Sequence, residues 1–225
     1  MSLYYNKFPK EFAEPPSMRF SRHPERAAYD RATIDAILDE GLVGHVGLES
    51  AGQPYVLPML YARDGDQLYL HGSPVSRLLG ALSEGVRICF TVTLLDGLVL
   101  ARSAFRHSLN YRSVVVLGAG RAVRDRHEKL DALRAIVDHA FPGRSDLVRG
   151  PSEPELKVTE VVALDLEHAS AKARTGPPAD KPGDYAIAVW AGELPLGLLV
   201  CAPIPDSRCS APEPPELRSY RRGAA

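Results

Sequence analysis

Only three cysteines occur in the 225 residues, Cys89, Cys201 and Cys209. Their number is odd, no two are spaced as CxxC, and Cys89 sits in an apolar run. That argues against a disulfide framework and for a reducing cytoplasm. No apolar stretch reaches the roughly 18 residues of a membrane-spanning helix. The opening MSLYYNKFPKEF lacks the basic-then-apolar order of a secretory signal. Charge of one sign is missing too: Lys+Arg total 27 against Asp+Glu 28, a formal charge of -1. Neither nucleic acid nor an anionic membrane is therefore an expected partner. The histidines at 23, 45, 71, 107, 127, 139 and 168 show no HxxxH or HExxH spacing, and no metal site is expected. There is no GxSxG elbow for a serine hydrolase. Gly118-Ala119-Gly120 is followed by Val123 within an apolar strand, which sets a dinucleotide fingerprint aside. The one tryptophan, Trp190, reads as core or dimer interface, and His45 as a barrel-wall residue.

What is present is a series of short strands with helices between them. Residues 1–23 lack periodicity and read as an arm. Asp30 caps a helix through RATIDAILDE, with Ile34, Ile37 and Leu38 on one face and Gly41 as its stop. Strands follow at 42–50, 54–63 and 67–71, separated by turns at Ala51-Gly52 and Asp64-Gly65. Ser73 and Pro74 then open a short helix that stops at Gly85. Further strands are expected at 86–95, 113–123 and 158–169. Between the last two lies a helix capped by Asp125, with Leu130, Leu133, Val137 and Phe141 as its buried stripe. After Ala173 the chain becomes Pro-rich, recovers an apolar segment at AIAVWAGELPL, and ends in a tail over 201–225. Sequential strands without alternating βα units predict a mainly β fold, a closed barrel with helical covers spanning 24–200.

Two segments carry chemistry. In YLHGSPVSR a strand ends, a small-residue turn follows and a helix begins, placing backbone N–H groups beside Ser73, Ser76 and Arg77. That combination suits a phosphate monoester. The alternative is a plainly capped helix with a surface arginine. In FRHSLNYRS (105–113) polar and titratable side chains crowd the entrance to Val114-Val115-Val116; an ordinary polar loop would look similar.

The segments PYVLPMLYA, LYLHGSPVSRLLGAL and HSLNYRSVVVLGAGRAV, in this order and spacing, resemble the FMN-binding split-barrel superfamily. The resemblance covers roughly residues 20–200 and is to the pyridoxamine-5'-phosphate-oxidase-related branch near the nitroimidazole-reductase-like proteins. It implies a six-stranded split β-barrel, a homodimer, and one FMN in each of two interfacial clefts. Carried over by position, Ser76 and Arg77 hold the phosphate, with Ser73 beside them. Val56, Leu57, Pro58 and Met59 line the isoalloxazine, Arg112 and Ser113 approach the flavin, and His71 lies near it. His71 or His107 would serve as proton donor in an oxidoreductase that takes electrons from a nicotinamide nucleotide to a small organic acceptor.

One departure limits the resemblance. Pyridoxamine-phosphate oxidases proper follow a tryptophan with an Arg-Leu-x-Pro ending, whereas AVWAGELPLGLLVCAPIPD has Trp190 and no such arginine. Oxidation of pyridoxamine phosphate is not expected. Two alternatives stay open: a non-catalytic flavin carrier or sensor, and a split barrel that takes haem or a deazaflavin.

Overall fold

A computed structural model describes residues 23–222. The expected N-terminal arm lies outside them, apart from His23. In chain order the elements are β1 (Ala27–Ala28), α1 (Arg31–Glu40), β2 (Val43–Ser50), β3 (Gln53–Asp64), β4 (Gln67–Gly72) and α2 (Arg77–Ser83). They continue with β5 (Arg87–Leu100), β6 (Ser108–Ala119), β7 (Arg121–Ala122), α3 (Arg126–Ala140), α4 (Arg144–Leu147) and α5 (Glu153–Lys157). Last come β8 (Glu160–Asp165), β9 (Ala169–Arg174), β10 (Gly192–Pro195) and α6 (Glu216–Ser219).

Local chemistry accounts for most of these boundaries. Asp30 accepts a hydrogen bond from the Thr33 N–H at 2.9 Å and so caps α1, whose Ile34, Ile37 and Leu38 are buried. Asp125 caps α3 in the same way through the Glu128 N–H at 2.8 Å. The β2–β3 turn places both Ala51 (φ 54°) and Gly52 (φ 79°) in the left-handed region, as a two-residue hairpin with the native strand twist requires.

Every strand pairing is antiparallel, in the order β1-β9-β6-β5-β2-β3-β4-β8-β7, with β10 added to β5. The fold is therefore mainly β with helices, as expected, but the described residues hold ten strands rather than six. β1, β7 and β10 are short additions, and the strand expected over 158–169 divides at 166–168 into β8 and β9. The sheet is open in its hydrogen bonding and curls until β6 meets β8. At that seam a Cβ on Gly118 would lie 2.7 Å from Leu164 Cδ1, and one on Gly120 would lie 2.6 Å from the Leu82 carbonyl. Glycine is needed there for close approach. Inside the curl, α1, α2 and the strands bury Leu38, Tyr61, Leu70, Leu82, Phe90 and Val116 among others. A smaller core lies under α3, around Tyr69, Val123 and Ile136.

Two expectations about helices need correction. The buried face of α3 carries Ala132 and Ile136, while Val137 is 36% exposed, so the stripe is rotated from the expected one. Small Ala132 lets the helix lie close on β3 and β4, which outweighs the larger residues. Likewise Ser73 and Pro74 do not open α2. They belong to a turn closed by the Ser76 N–H on the Ser73 carbonyl at 3.0 Å, and the helix begins at Arg77.

The Pro-rich C-terminal segment is fastened to the barrel at several points. β10 pairs with residues 97–100 of β5. Tyr220 donates to the Ala140 carbonyl at 2.9 Å and stacks on Phe141. Arg222 donates to the carbonyls of Asp39, Glu40 and Gly41 at the C-terminus of α1, where a cation suits the helix dipole. Among the described residues no helix is long and apolar enough to cross a membrane.

Candidate functional site

A cavity opens where the β2–β3 hairpin meets the start of α2, lined by Leu48, Ser50, Tyr55, Leu57, Arg77 and Leu78. The strand period decides its lining. Leu57 pairs with core Val46, so odd-numbered residues of this part of β3 face inward, and Tyr55 and Leu57 form a shelf with Leu48. Met59, on the same face, is part of the core. Val56 (66% exposed) and Pro58 point to the opposite side of the sheet. The four residues expected to line one ring are thus divided between two faces.

β3 joins those faces through a free edge. β2 pairs with its residues 53–60, but β4 pairs only with 61–64. Among the described residues no strand covers the other edge of Gln53–Leu60, whose backbone groups are open to a ligand.

Arg77 is the cation of the cavity. Its guanidinium lies 5.6 Å from the centre of the Tyr55 ring, and among the described residues it has no ion pair. An arginine stacked on an aromatic ring, with its N–H groups unclaimed, is preset to grip an anion. Ser76, its neighbour, has no side-chain capping bond. In one chain the cavity holds only about 50 Å³. That is far below the several hundred Å³ of an ordinary cofactor pocket.

Arg112, expected beside the flavin, is occupied elsewhere. It donates to Glu40 Oε1 at 2.8 Å and to Asp96 Oδ1 and Oδ2 at 2.8 and 3.0 Å, tying the end of α1 to the irregularity in β5. Those hydrogen bonds, Glu40 first and then Asp96, push its pKa further up. Ser113 donates to the Lys172 carbonyl at 3.2 Å. Neither residue lines the cavity.

The two candidate histidines differ sharply. His71 Nδ1 is buried with no hydrogen-bond partner, and burial lowers the pKa of the ring, which stays neutral at pH 7. It shares its sheet face with the paired Val161. His107 is exposed at the tip of the β5–β6 hairpin, and its Nδ1 lies 3.0 Å from the Ser103 carbonyl. His71 lies on β4, whereas His107 precedes β6 at the β5–β6 tip.

The residues missed in the sequence are Leu48, Ser50, Tyr55 and Leu78. Tyr55 was legible by alternation from Leu57, and Leu48 is its cross-strand partner. A second hollow, between β3 and α3, is lined by Arg63, Asp64, Asp131, Arg134, Asp138 and His139. Three carboxylates face two guanidiniums there.

The family model described as pyridoxamine 5'-phosphate oxidase matches residues 30–173. Among solved structures, flavocytochrome Anf3 from Azotobacter vinelandii is 41% identical, with a TM-score of 0.85 over 94% of this chain and 100% of its own. The FAD and heme binding protein from Mycobacterium smegmatis is 35% identical, with a TM-score of 0.82 over 86% of this chain and 96% of its own. A protein described as a 5-nitroimidazole antibiotic resistance protein, from Bacteroides thetaiotaomicron, is 25% identical, with a TM-score of 0.55 over 65% of this chain and 85% of its own. Among curated proteins none matches the sequence.

Proposed function

The chain belongs to the pyridoxamine 5'-phosphate oxidase family, and from that premise we propose that it is a flavin- and haem-carrying redox protein that works as a homodimer. The observation that carries the flavin reading is Arg77, without an ion pair among the described residues, at the rim of an apolar shelf that ends in a free strand edge. The names of the two neighbours aligned over nearly the whole chain, a flavocytochrome and an FAD and heme binding protein, favour haem as a second group.

In this reading Arg77 and Ser76 hold the phosphate next to the ribityl chain. That phosphate is common to FMN and FAD, and the Mycobacterium neighbour favours FAD over the FMN expected from sequence. Leu57 and Leu48 support the ring, and the free edge of β3 offers backbone donors to its polar side. Neutral His71, with Nε2 as the nitrogen left to meet a ligand, holds or delivers a proton near that edge. Flavin supplies the exchange between two-electron and one-electron chemistry, and haem supplies a one-electron centre.

The small single-chain cavity supports a dimer in which a second copy provides the missing wall. Val43, Val56 and Leu95 are 48%, 66% and 46% exposed on the outer side of the β2–β3–β5 sheet, an apolar surface suited to that packing. The absorption spectrum of the purified protein tests the assignment. It should show flavin bands and a Soret band, and anaerobic NADH or NADPH should bleach the flavin. A protein that binds no flavin when FAD or FMN is added would defeat the reading, whereas binding without reduction would assign a carrier role.

A further inference from the structure

Residues 185–204 are apolar in composition and yet exposed in the structure. The one charged residue among them is Glu193, and its carboxylate is occupied by the Asn110 side-chain amide at 2.6 Å. Trp190, Leu198, Leu199 and Ile204 are each 65–93% exposed. Single apolar residues are normal on a monomer's surface, but a run of them marks an interface. The segment offers several hundred Å² of apolar surface, on the order of the ~800 Å² that each partner gives to a stable complex. Nor is it a loose end. Alignment with the flavocytochrome covers 94% of this chain, which leaves out fewer residues than the segment holds.

Its backbone decides between a protein and a lipid partner. β10 pairs with residues 97–100 of β5, and the Leu196 N–H donates to the Asp96 carbonyl at 3.0 Å. Past that point, among the described residues, no backbone hydrogen bond involves 197–205. Unpaired N–H and C=O groups are not tolerated in hydrocarbon, whereas at a protein surface water or the partner satisfies them. A second copy of this chain suits the segment, since a formal charge of -1 per chain gives two copies little repulsion.

The surface that receives such an arm lies at the other end of the sheet. Beside the cavity of about 50 Å³, Val56, Leu57 and Val75 are exposed, Val75 by 89%. Val56 belongs to the outer side of the sheet. There Val43, His45 and Gly47, with the residues paired to them in β3 and β5, include no Asp, Glu, Lys or Arg. Two such faces can pack on each other. A two-fold axis running across the strands reverses β5 in the second copy. Its 97–100 end, from which the arm departs, then meets the β2–β3 hairpin and the shelf, and the contact is reciprocal.

We propose that residues 197–204 of each copy cross to the other and wall in its flavin shelf, with Leu198 and Leu199 against Leu57 and Val75. The assignment rests on the flavin-and-dimer reading above and adds which part of the second copy completes the site.

The test uses the full-length protein and the double variant Leu198→Asp, Leu199→Asp, whose altered side chains lie outside the core. Sedimentation should find the wild type dimeric and the variant monomeric. Titration with FAD should find the variant's affinity at least tenfold weaker, with circular dichroism unchanged. Mixing gives the sharper result. Arg77→Ala damages the phosphate site and leaves the arm intact, and the double variant does the reverse. A mixed dimer therefore regains one sound site, and an equimolar mixture should bind FAD tightly, up to one per two chains. A mixture that binds no better than its parts would mean that the arm covers its own chain's shelf, and would overturn the crossing. So would a double variant that stays dimeric with unchanged affinity, or a monomeric wild type that floats with phosphatidylcholine vesicles. A wild-type dimer that takes up neither FAD nor FMN would instead remove the flavin reading, because the variant's loss of the dimer is measured without flavin.

Discussion

The two ends of β5 are built on different plans. At the β2–β3 end, the flavin shelf consists of residues close in sequence: Leu48, Ser50, Tyr55 and Leu57 flank one hairpin, and Arg77 follows the next strand. At the other end, the hairpin tip is assembled from residues far apart, with Arg102 bonded to Asp180 and the buried side chain of Asn110 bonded to Glu193. Strand rise puts the ends roughly 40 Å apart along β5. The shelf lies inside the segment shared with the family, and the tip is completed by the segment beyond it. The shelf thus follows from alternation and turn chemistry alone, while the tip is built with a C-terminal addition.

Arg77 and Arg112 carry the same comparison to single residues. Both were expected beside the flavin, yet one meets an aromatic ring and the other two carboxylates. Arg112→Ala should have the larger effect on stability. It would leave Glu40 and Asp96, both part-buried, without their shared cation, at a cost of about 2–3 kcal/mol in chemical denaturation. Flavin affinity of the folded variant should hardly change; a loss of flavin with intact stability would reverse the roles. Arg77→Ala should weaken flavin binding by about 1.5–3 kcal/mol through loss of a charge-assisted bond, with little effect on denaturation. Equal affinity in variant and wild type would move the phosphate elsewhere.

Smaller effects sharpen the picture of a shelf set by its turn. Ala51 holds φ 54°, which is unfavourable for a residue with a Cβ, so Ala51→Gly should raise stability by about 0.5 kcal/mol. A destabilised variant would mean that the turn is not held in that conformation. The smallest effect concerns His139, at the end of the barrel away from the shelf. Its Nε2 lies 2.6 Å from the Gly41 carbonyl and 2.9 Å from Arg222 Nη2. Burial, and then the Arg222 charge, lower its pKa below the ordinary 6.5. The unfolded chain therefore takes up a proton first as pH falls through 6.5. Stability should decline below that pH and level off above it. His139→Gln should flatten this profile in part, with His71, shifted in the same direction, supplying the remainder. An unaltered profile in the variant would place the titrating group elsewhere.

Much of the fold was legible because its signals are local. Asp30 and Asp125 cap their helices through bonds to the third residue on, and Ala51-Gly52 and Asp64-Gly65 turn the hairpins. The core face of β3 follows from period-2 alternation. What could not be read depends on partners distant in the chain. Residues 105–113 read as a polar entrance to a strand beginning at 113, but β6 already begins at Ser108. There Asn110 is buried because Glu193 and Arg174, 83 and 64 residues away, complete its hydrogen bonds. Arg112 looked free because Glu40 precedes it by 72 residues. The α3 stripe was misplaced by small Ala132, whose burial depends on how closely a sheet approaches.

A crystal structure of the protein loaded with FAD tests the central claim most directly. The account predicts the phosphate beside the ribityl chain bound by Arg77 and Ser76, with the ring along the edge of β3 over Leu57. Flavin bound elsewhere, with Arg77 still stacked on Tyr55 and no phosphate in reach, would contradict it.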